Sequence, residues 1–208
     1  MGELRAALKE SFAGHGRIVI LMGEPGIGKT RTAEELASHA ETQGAQVLWG
    51  RCYEEDGAPS YWPWVQAIRS YVEPRNSDQL RVDLGPNAAD FAEIVPEIRR
   101  KLTDLETPPD LPPEQARFRL FESITSFLKT LARSKPIMLV LDDLHWADEP
   151  SLLLLQFLAQ QLADSHILVV GCYRDVELSR QHPLSETLAR ISREADYQRH
   201  ALRRMGPG

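Results

Sequence analysis

The stretch Gly23-Glu24-Pro25-Gly26-Ile27-Gly28-Lys29-Thr30 lies between an apolar run, 18–22, and a helical pattern that starts at Lys29. It follows the pattern G-x-x-x-x-G-K-[ST]. This pattern needs glycines because successive backbone N–H groups turn inward around a phosphate and leave no room for Cβ atoms. Lys29 would then reach the β- and γ-phosphates, and Thr30 would offer its hydroxyl to Mg²⁺. A plain glycine-rich turn is the alternative. The sequence predicts a loop that binds nucleotide phosphates.

Composition places the chain among ordinary globular proteins, with 208 residues, of which 42% are hydrophobic and 26% charged. The formal net charge of -6 gives no broad basic surface, so we expect no direct nucleic-acid binding by this chain. No apolar run is long enough for a membrane span, and the N-terminus has no signal-peptide pattern, so a cytoplasmic location is predicted. Cys52 and Cys172 are expected to be reduced thiols rather than a disulfide or a metal site.

Hydrophobic periodicity predicts strands that alternate with helices along the whole chain. The predicted strands are 17–22, 46–51, 137–142, 167–172 and a weaker one at 199–205. The predicted helices are 3–13, 29–42, 63–71, 77–84, 88–94, 96–105, a long one from 113 through 131, 149–163 and 183–194. Continuous apolar strands are typical of a parallel sheet with helices on both faces. The predicted fold class is therefore α/β, a P-loop NTPase of the ASCE or AAA+-like kind, with strand order 5-1-4-3-2 and a helical insertion between strands two and three.

Two apolar clusters lie outside this simple pattern. Tyr61, Trp62 and Trp64 lie near the start of the predicted helix 63–71. We expect them to anchor that helix on the core, with a contact to a partner or ligand as the alternative. The four leucines at 152–155 make a helix apolar around most of its circumference, so this helix is either deeply buried or part of an interface.

A pair of carboxylates, Asp142 and Asp143, directly follows the apolar strand 137–141. A carboxylate at the carboxyl end of a buried parallel strand lies beside the phosphate loop, where Asp142 can hold the hydration shell of Mg²⁺. Asp143 occupies the place where many ATPases have a glutamate that orients the attacking water. Because aspartate is shorter by one methylene, we predict slow hydrolysis. A solvated strand end is the alternative. His145 is expected to pack at the edge of the site rather than to take part in catalysis.

A third constellation, Gly171-Cys172-Tyr173-Arg174-Asp175, ends strand four. A guanidinium there would lie near the γ-phosphate and could report its presence, so Arg174 is the predicted sensor. A structural pair with Asp175 or another surface acid is the alternative. Arg190 and Arg193 lie on the helix before strand five, where oligomeric ATPases carry an arginine finger, but a solvated helix face is the favoured interpretation for both.

The separation in sequence between Lys29 and Asp142 also indicates which class of phosphate-loop protein the sequence resembles. It amounts to 113 residues (142 − 29), more than small kinases and GTPases usually need. The separation favours the branch of phosphate-loop proteins that has an extra strand between the loop strand and the strand bearing the carboxylates.

In these constellations the sequence resembles the ATPase domain of the signal-transduction ATPases with numerous domains (STAND), and especially that of the large ATP-binding transcriptional regulators of the LuxR type. The matching segments occur in the family's order over nearly the whole chain: 23–30 with Arg31 after it, Gly50-Arg51-Cys52-Tyr53-Glu54, Tyr61-Trp62-Pro63-Trp64, Leu139-Val140-Leu141-Asp142-Asp143-Leu144-His145-Trp146-Ala147-Asp148 and Gly171-Cys172-Tyr173-Arg174-Asp175. The resemblance implies a core like that of AAA+ ATPases, related to the Orc1-like group, and a switch governed by ATP and ADP. It also implies that a helical lid, a winged-helix element, a sensor region and an output domain normally follow.

Two departures from the family pattern concern the chain ends. The family usually opens with an apolar-Gly-Arg-Glu box that contacts the adenine, whereas this chain starts at Met1-Gly2-Glu3-Leu4. It ends at Gly206-Pro207-Gly208, about where the lid should begin. We therefore expect residues 1–208 to be a P-loop ATPase core without the adenine box, the lid and the output domains. A fragment, a truncated gene product and a stand-alone core all remain open.

The function that the sequence predicts is a regulatory switch that binds MgATP and hydrolyses it slowly. The γ-phosphate, contacted by Lys29 and Arg174, would select between two arrangements of regulatory domains in the same chain or in a partner. ATP-dependent self-association is a further expectation that the residues leave open. Two alternatives stand beside this one: a non-catalytic nucleotide-binding or interaction module, and an oligomeric AAA+ ATPase that acts on DNA or protein.

Overall fold

A computed structural model describes residues 1–54, 58–175, 178–179 and 182–202. A parallel sheet of five strands forms its centre, in the order β2-β3-β4-β1-β5. The strands are β1 (Arg17–Met22), β2 (Gln46–Arg51), β3 (Ile137–Asp142), β4 (Ile167–Tyr173) and β5 (Tyr197–Ala201). This order is the predicted 5-1-4-3-2 counted from the opposite edge, so the predicted fold class is confirmed.

As predicted, one helix precedes β1 and the others lie between consecutive strands along the chain. They are α1 (Gly2–Phe12), α2 (Lys29–Thr42), α3 (Trp62–Val72), α4 (Ser77–Leu84), α5 (Ala88–Ile94), α6 (Pro96–Lys101), α7 (Pro113–Ser134), α8 (Glu149–Ala159) and α9 (Pro183–Glu194), with 3₁₀ turns at Gly85–Asn87 and Leu144–Trp146. Within the described ranges, each of these helices is too short or too polar to traverse a lipid bilayer.

Several predicted boundaries differ from the observed ones, and the largest differences are at the ends of α6 and α8. Helix α6 ends at Lys101 instead of residue 105, and α8 ends at Ala159 instead of residue 163. After α8 the chain tightens into a turn in which the N–H of Leu162 donates to the carbonyl of Ala159, and this turn brings Leu162 into the core. Strand β5 starts at Tyr197 because that residue pairs with Ile18 near the start of β1. The predicted end of this strand, 203–205, lies outside the described residues.

Both faces of the sheet are covered, because alternate residues of each inner strand enter different cores. In β1, Ile18 and Ile20 enter a large core with α3–α9, while Val19 and Leu21 enter a smaller core with α1 and α2. This alternation explains why the inner strands are apolar at nearly every position between their ends. The arrangement leaves the carboxyl ends of all five parallel strands at one edge, and the predicted site residues follow those ends.

The insertion between β2 and β3 packs through α3 onto the edge strand. Trp64 is buried at 1% exposure and donates its indole N–H to the carbonyl of Ser151 at 3.2 Å, so the predicted anchoring role is confirmed for this residue. Tyr61 and Trp62 are only partly buried. Of the four leucines at 152–155, all but Leu153 are buried, so this helix belongs to the core.

Gly50 is the place where the backbones of α3 and β2 touch. A Cβ atom on this residue would lie 1.9 Å from the carbonyl oxygen of Pro63, which is main chain and cannot rotate away. We expect Gly50→Ala to lower the free energy of unfolding by about 3 kcal/mol, measured by urea denaturation. Gly2→Ala is the matched control, since nothing lies within 4 Å of the corresponding position. Equal stability of the two variants would contradict the packing of α3 described here.

Candidate functional site

The phosphate loop, residues 23–30, connects the end of β1 to the start of α2. Gly26 and Gly28 have φ angles of +75° and +100°, a backbone conformation that glycine adopts much more readily than other residues. No atom lies within 4 Å of a Cβ position built on either glycine, so the backbone conformation and not crowding favours glycine here. Gly28 caps α2 without a side-chain hydrogen bond, and the first turn of α2 contains no acidic residue. The loop therefore offers backbone N–H groups and the positive end of a helix to an anion.

Lys29 is buried, and its ammonium group lies against the loop itself. Nζ donates to the carbonyl oxygens of Gly23 at 2.8 Å and Glu24 at 2.9 Å. Burial lowers the pKa of Lys29, and the positive charge of Arg174 lowers it further, whereas the charge of Asp143 raises it. Two neutral carbonyls do not compensate a buried positive charge as an anion would. The lysine is thus positioned to exchange its carbonyl contacts for a phosphate.

Thr30 and Asp142 are in direct contact, although 112 residues separate them in sequence. The hydroxyl of Thr30 donates to Oδ2 of Asp142 at 3.0 Å, and Oδ1 of Asp142 accepts from the backbone N–H of Asp143 at 3.0 Å. Burial raises the pKa of Asp142, and the negative charge of Asp143 adds to this rise, while the Thr30 hydrogen bond opposes it. A hydroxyl beside a carboxylate is the oxygen donor set that Mg²⁺ prefers, so these two residues fit the predicted metal.

Asp143 forms an ion pair that the sequence interpretation missed. Its Oδ2 atom accepts hydrogen bonds from Nε of Arg51 at 3.1 Å and from Nη2 at 3.0 Å. Arg51 ends β2, which pairs with β3 so that Arg51 lies opposite Asp142. The predicted strand order already placed the ends of strands two and three side by side. A basic residue at the end of strand two was therefore the signal that could have identified Arg51.

Three other residues considered in the sequence analysis, Arg174, His145 and Arg31, have different surroundings. Arg174 follows β4, is partly buried and lies close enough to Lys29 for its charge to lower the lysine pKa. His145 is buried at 3% exposure, with Nε2 4.0 Å from Oδ1 of Asp143 and its ring against Trp146. Arg31 points away from the loop, because it is exposed and pairs with Glu35 on the next turn of α2.

The other predicted residues lie in the phosphate loop and on α9. Glu24 and Pro25 are exposed, and Ile27 is partly buried. Arg190 pairs with Glu186 one turn earlier on α9, and Arg193 is exposed. The favoured interpretation of Arg190 and Arg193 as part of a solvated helix face agrees with these positions.

Residues 1–170 match the protein family described as the AAA ATPase domain. The chain belongs to the AAA ATPase domain family. Similar proteins have been solved: Cdc6p of Pyrobaculum aerophilum is 19% identical with a TM-score of 0.49, covering 95% of this chain and 44% of that one. Drosophila ORC bound to GC-rich DNA and Cdc6 is 12% identical with a TM-score of 0.50, covering 99% and 59%. At this level of identity the likeness to the Drosophila structure concerns the fold alone.

Two further relatives are longer proteins. A signal-transduction ATPase with numerous domains from Pyrococcus horikoshii, which has a tetratricopeptide repeat sensor, is 14% identical with a TM-score of 0.46, covering 97% of this chain and 23% of that one. An uncharacterized protein of Rhizobium meliloti (strain 1021) is 23% identical, covering 78% of this chain and 17% of that protein. The AAA ATPase domain described here thus spans less than two thirds of each of these relatives.

In this AAA ATPase domain, burial raises the pKa of Asp142, so the folded state disfavours the ionised carboxylate. We therefore expect Asp142→Asn to stabilise the ligand-free protein. The amide can accept from the N–H of Asp143 and donate to the hydroxyl of Thr30, so the local contacts survive. We expect the melting temperature to rise by about 3 °C, which corresponds to about 1 kcal/mol.

The pH dependence of this gain follows from the raised pKa of Asp142. Between the usual pKa of aspartate and the raised value, the folded wild type keeps a proton that the unfolded chain has lost, so its stability falls as pH rises. The stability advantage of Asp142→Asn should therefore be complete at pH values above the raised pKa of Asp142. It should disappear at pH values below the usual pKa of aspartate. Thermal unfolding from acidic to neutral pH measures it, with the exposed Asp164 replaced by Asn as control. A variant that melts below the wild type at neutral pH would contradict this account.

Proposed function

We propose that this AAA ATPase domain binds MgATP at the phosphate loop and hydrolyses it slowly, as the switch of a regulatory protein. The observation that carries the proposal is the contact between Thr30 and Asp142. It joins the residue after the loop lysine to the carboxylate that ends β3, and a magnesium–triphosphate complex requires these two groups side by side.

The roles of the residues follow from their contacts. The N–H groups of residues 26–28 and the start of α2 would bind the phosphates, and Lys29 would exchange the carbonyls of Gly23 and Glu24 for phosphate oxygens. Mg²⁺, when bound, would neutralise phosphate charge, and Thr30 and Asp142 are the residues that would hold it. Arg174, whose charge already acts on Lys29, would sense the γ-phosphate.

Slow hydrolysis is supported by the ion pair at Asp143. A carboxylate that accepts a proton from an attacking water needs a free lone pair aimed at that water. Oδ2 of Asp143 already accepts two hydrogen bonds from Arg51, and charge-assisted hydrogen bonds of this kind are strong. The short aspartate side chain is therefore held toward the edge strand β2.

The regulatory part of the proposal extends the resemblance to STAND proteins and LuxR-type regulators. We propose that residues 1–208 act as an ATPase core beside regulatory and output domains, and that the output is transcriptional. One fact supports the presence of further domains: the chain spans 17% of its Rhizobium meliloti relative. The transcriptional output extends the resemblance alone.

Titration with ATP, followed by measurement of phosphate release, tests the proposal. We expect Mg²⁺-dependent binding and a turnover far below the roughly 10 s⁻¹ that is typical of enzymes. Binding without any phosphate release would favour a non-catalytic module, and ATP-dependent ring assembly in a sedimentation experiment would favour an oligomeric machine. Absence of ATP binding would end the proposal.

Arg51 provides a separate test of the slow-hydrolysis argument. If the pair with Arg51 restrains Asp143, Arg51→Gln should raise the rate of phosphate release by about threefold to tenfold while ATP affinity changes little. Arg81→Gln is the matched control, because Arg81 forms an ion pair with Asp104 far along the insertion. A lower rate in Arg51→Gln would mean that the pair positions Asp143 for catalysis instead of restraining it.

A further inference from the structure

A cavity of about 600 Å³ lies between the insertion and α7, and none of the proposed nucleotide-site residues lines it. Its walls come from Tyr61, from α5, from the proline segment at residues 107–113 and from the first turns of α7. This volume is within the range of small-molecule sites in proteins. We refer to it as the insertion cavity.

Most of the wall surface is apolar and rigid. Tyr61, Pro108, Leu111 and Leu120 are among the lining residues, and the Tyr61 ring packs edge-to-face on Phe121 with centroids 6.1 Å apart. Proline has a fixed φ and little freedom to lose when a ligand binds, so this wall is preorganised. An apolar ligand body of moderate size matches such walls.

The charges in the insertion cavity fall into two groups. Asp90 is neutralised by Arg119 at 2.9 Å and also accepts from the hydroxyl of Ser123 at 2.9 Å. Glu93 pairs with Arg99 at 3.5 Å. By contrast, two lining residues of opposite sign, Arg117 and Asp110, are exposed and have no ion pair with any residue that the structure describes.

Arg117 and Tyr61 both line the insertion cavity. Burial raises the pKa of Tyr61, and the positive charge of Arg117 partly offsets this rise. One cation, one anion and an apolar wall therefore border the same space. A small zwitterion with an apolar side chain would pair with both charges and fill the apolar part.

We propose that the insertion cavity is an effector site for an apolar α-amino acid, with the ligand carboxylate at Arg117, its ammonium group at Asp110 and its side chain against Tyr61 and the proline segment. The amino-acid site and the nucleotide site consist of different residues.

The cavity is connected to the proposed nucleotide site by one hydrogen bond. The backbone N–H of Tyr61, which has a left-handed φ of 65°, donates to Oδ1 of Asp148 at 3.3 Å. The same oxygen accepts from the N–H of Ser151 and so caps α8. Asp148 follows Asp142 and Asp143 after a single 3₁₀ turn. A ligand that shifts Tyr61 would therefore act on the segment that carries both carboxylates, and this part of the proposal rests on the proposed function.

Ligand-observed NMR with L-phenylalanine as the probe tests the site directly. We expect a Kd below about 1 mM, with binding at least about tenfold weaker for 3-phenylpropionate and for phenethylamine, which each lack one of the two charges. Arg117→Gln should weaken L-phenylalanine about tenfold and leave phenethylamine unchanged, and Asp110→Asn should weaken it while leaving 3-phenylpropionate unchanged. Equal binding of all three compounds, or no binding of L-phenylalanine, would overturn the proposal.

Two control variants make this test specific. Arg133→Gln removes an exposed arginine from the same helix, about four turns away from Arg117, and should change nothing. Arg117 also borders a smaller groove of about 280 Å³ between α7 and α8, which Asp110 does not line. If Arg117→Gln weakens L-phenylalanine and Asp110→Asn does not, the ligand lies in that groove and the proposal is wrong.

The connection between the insertion cavity and the nucleotide site is tested by a second measurement, the ATP Kd. We expect saturating L-phenylalanine to change the ATP Kd at least about threefold in the wild type and not in Arg117→Gln, a coupling of ordinary size for two linked sites. An unchanged ATP Kd with the amino acid bound would overturn the connection through Tyr61 and Asp148. Because amino-acid binding is measured without nucleotide, its failure is distinguishable from a failure of ATP binding.

Discussion

Lys29→Ala is expected to weaken ATP binding by at least about a hundredfold while the fold is retained. The ammonium group is buried, and among the described residues its hydrogen-bond acceptors are the carbonyls of Gly23 and Glu24, with no carboxylate. A hydrogen bond to a charged group contributes about 1.5–3 kcal/mol, so the loss of contacts to two phosphates removes about 3 kcal/mol or more, a factor of about 100.

The measurement is a titration of each variant with ATP in the presence of Mg²⁺, with circular dichroism as the check of folding. Lys9→Ala is the matched control, because Lys9 is exposed on α1 and outside the phosphate loop. Wild-type affinity in a folded Lys29→Ala protein would show that nucleotide does not bind at residues 23–30.

Asp143→Ala is expected to lower phosphate release by about a hundredfold and to leave ATP affinity within about threefold of the wild type. A positioned general base contributes about 10² to 10⁴ in rate, and the lower figure applies here because Arg51 already engages Oδ2. Asp142 is unaffected by the change, since it keeps its contact with Thr30. In Asp143→Ala the rate of phosphate release should therefore fall while ATP affinity is kept, whereas in Lys29→Ala ATP affinity itself should fall.

Two companion variants sharpen the test of Asp143. Asp143→Asn keeps the shape of the side chain and a hydrogen-bond acceptor for Arg51, so it should lose turnover without losing local structure. Asp143→Glu keeps the carboxylate on a longer side chain and should retain turnover. Phosphate release from Asp143→Ala at the wild-type rate would remove Asp143 from the mechanism.

The sequence was sufficient for the fold and for half of the site. The glycines and Lys29 of the phosphate loop, together with the apolar strands around it, are local signals that neighbouring residues fix. The strand order followed from the separation of 113 residues between Lys29 and Asp142, which favours the branch of phosphate-loop proteins with an extra strand between the loop strand and the strand bearing the carboxylates. The strand that separates them in the sheet, β4, was recognised from its apolar run.

The missed features all depend on contacts between segments far apart in sequence. Arg51 and Asp143 are 92 residues apart, and nothing local distinguishes an arginine that pairs with a surface acid from one that engages the site. The insertion cavity joins Tyr61 to the start of α7 in the same way. The cytoplasmic location, the self-association and the transcriptional output stay predictions.

The sequence by itself determined that this chain forms a parallel α/β sheet with a phosphate loop after its first strand, because hydrophobic period and positive-φ glycines act within a few residues. Only the tertiary structure decided that Asp142 contacts Thr30 and that Asp143 pairs with Arg51, because these contacts depend on which strand ends lie side by side. Thr30 and Arg51 reach the two neighbouring aspartates from opposite sides only after α2 and the edge strand β2 have packed against β3.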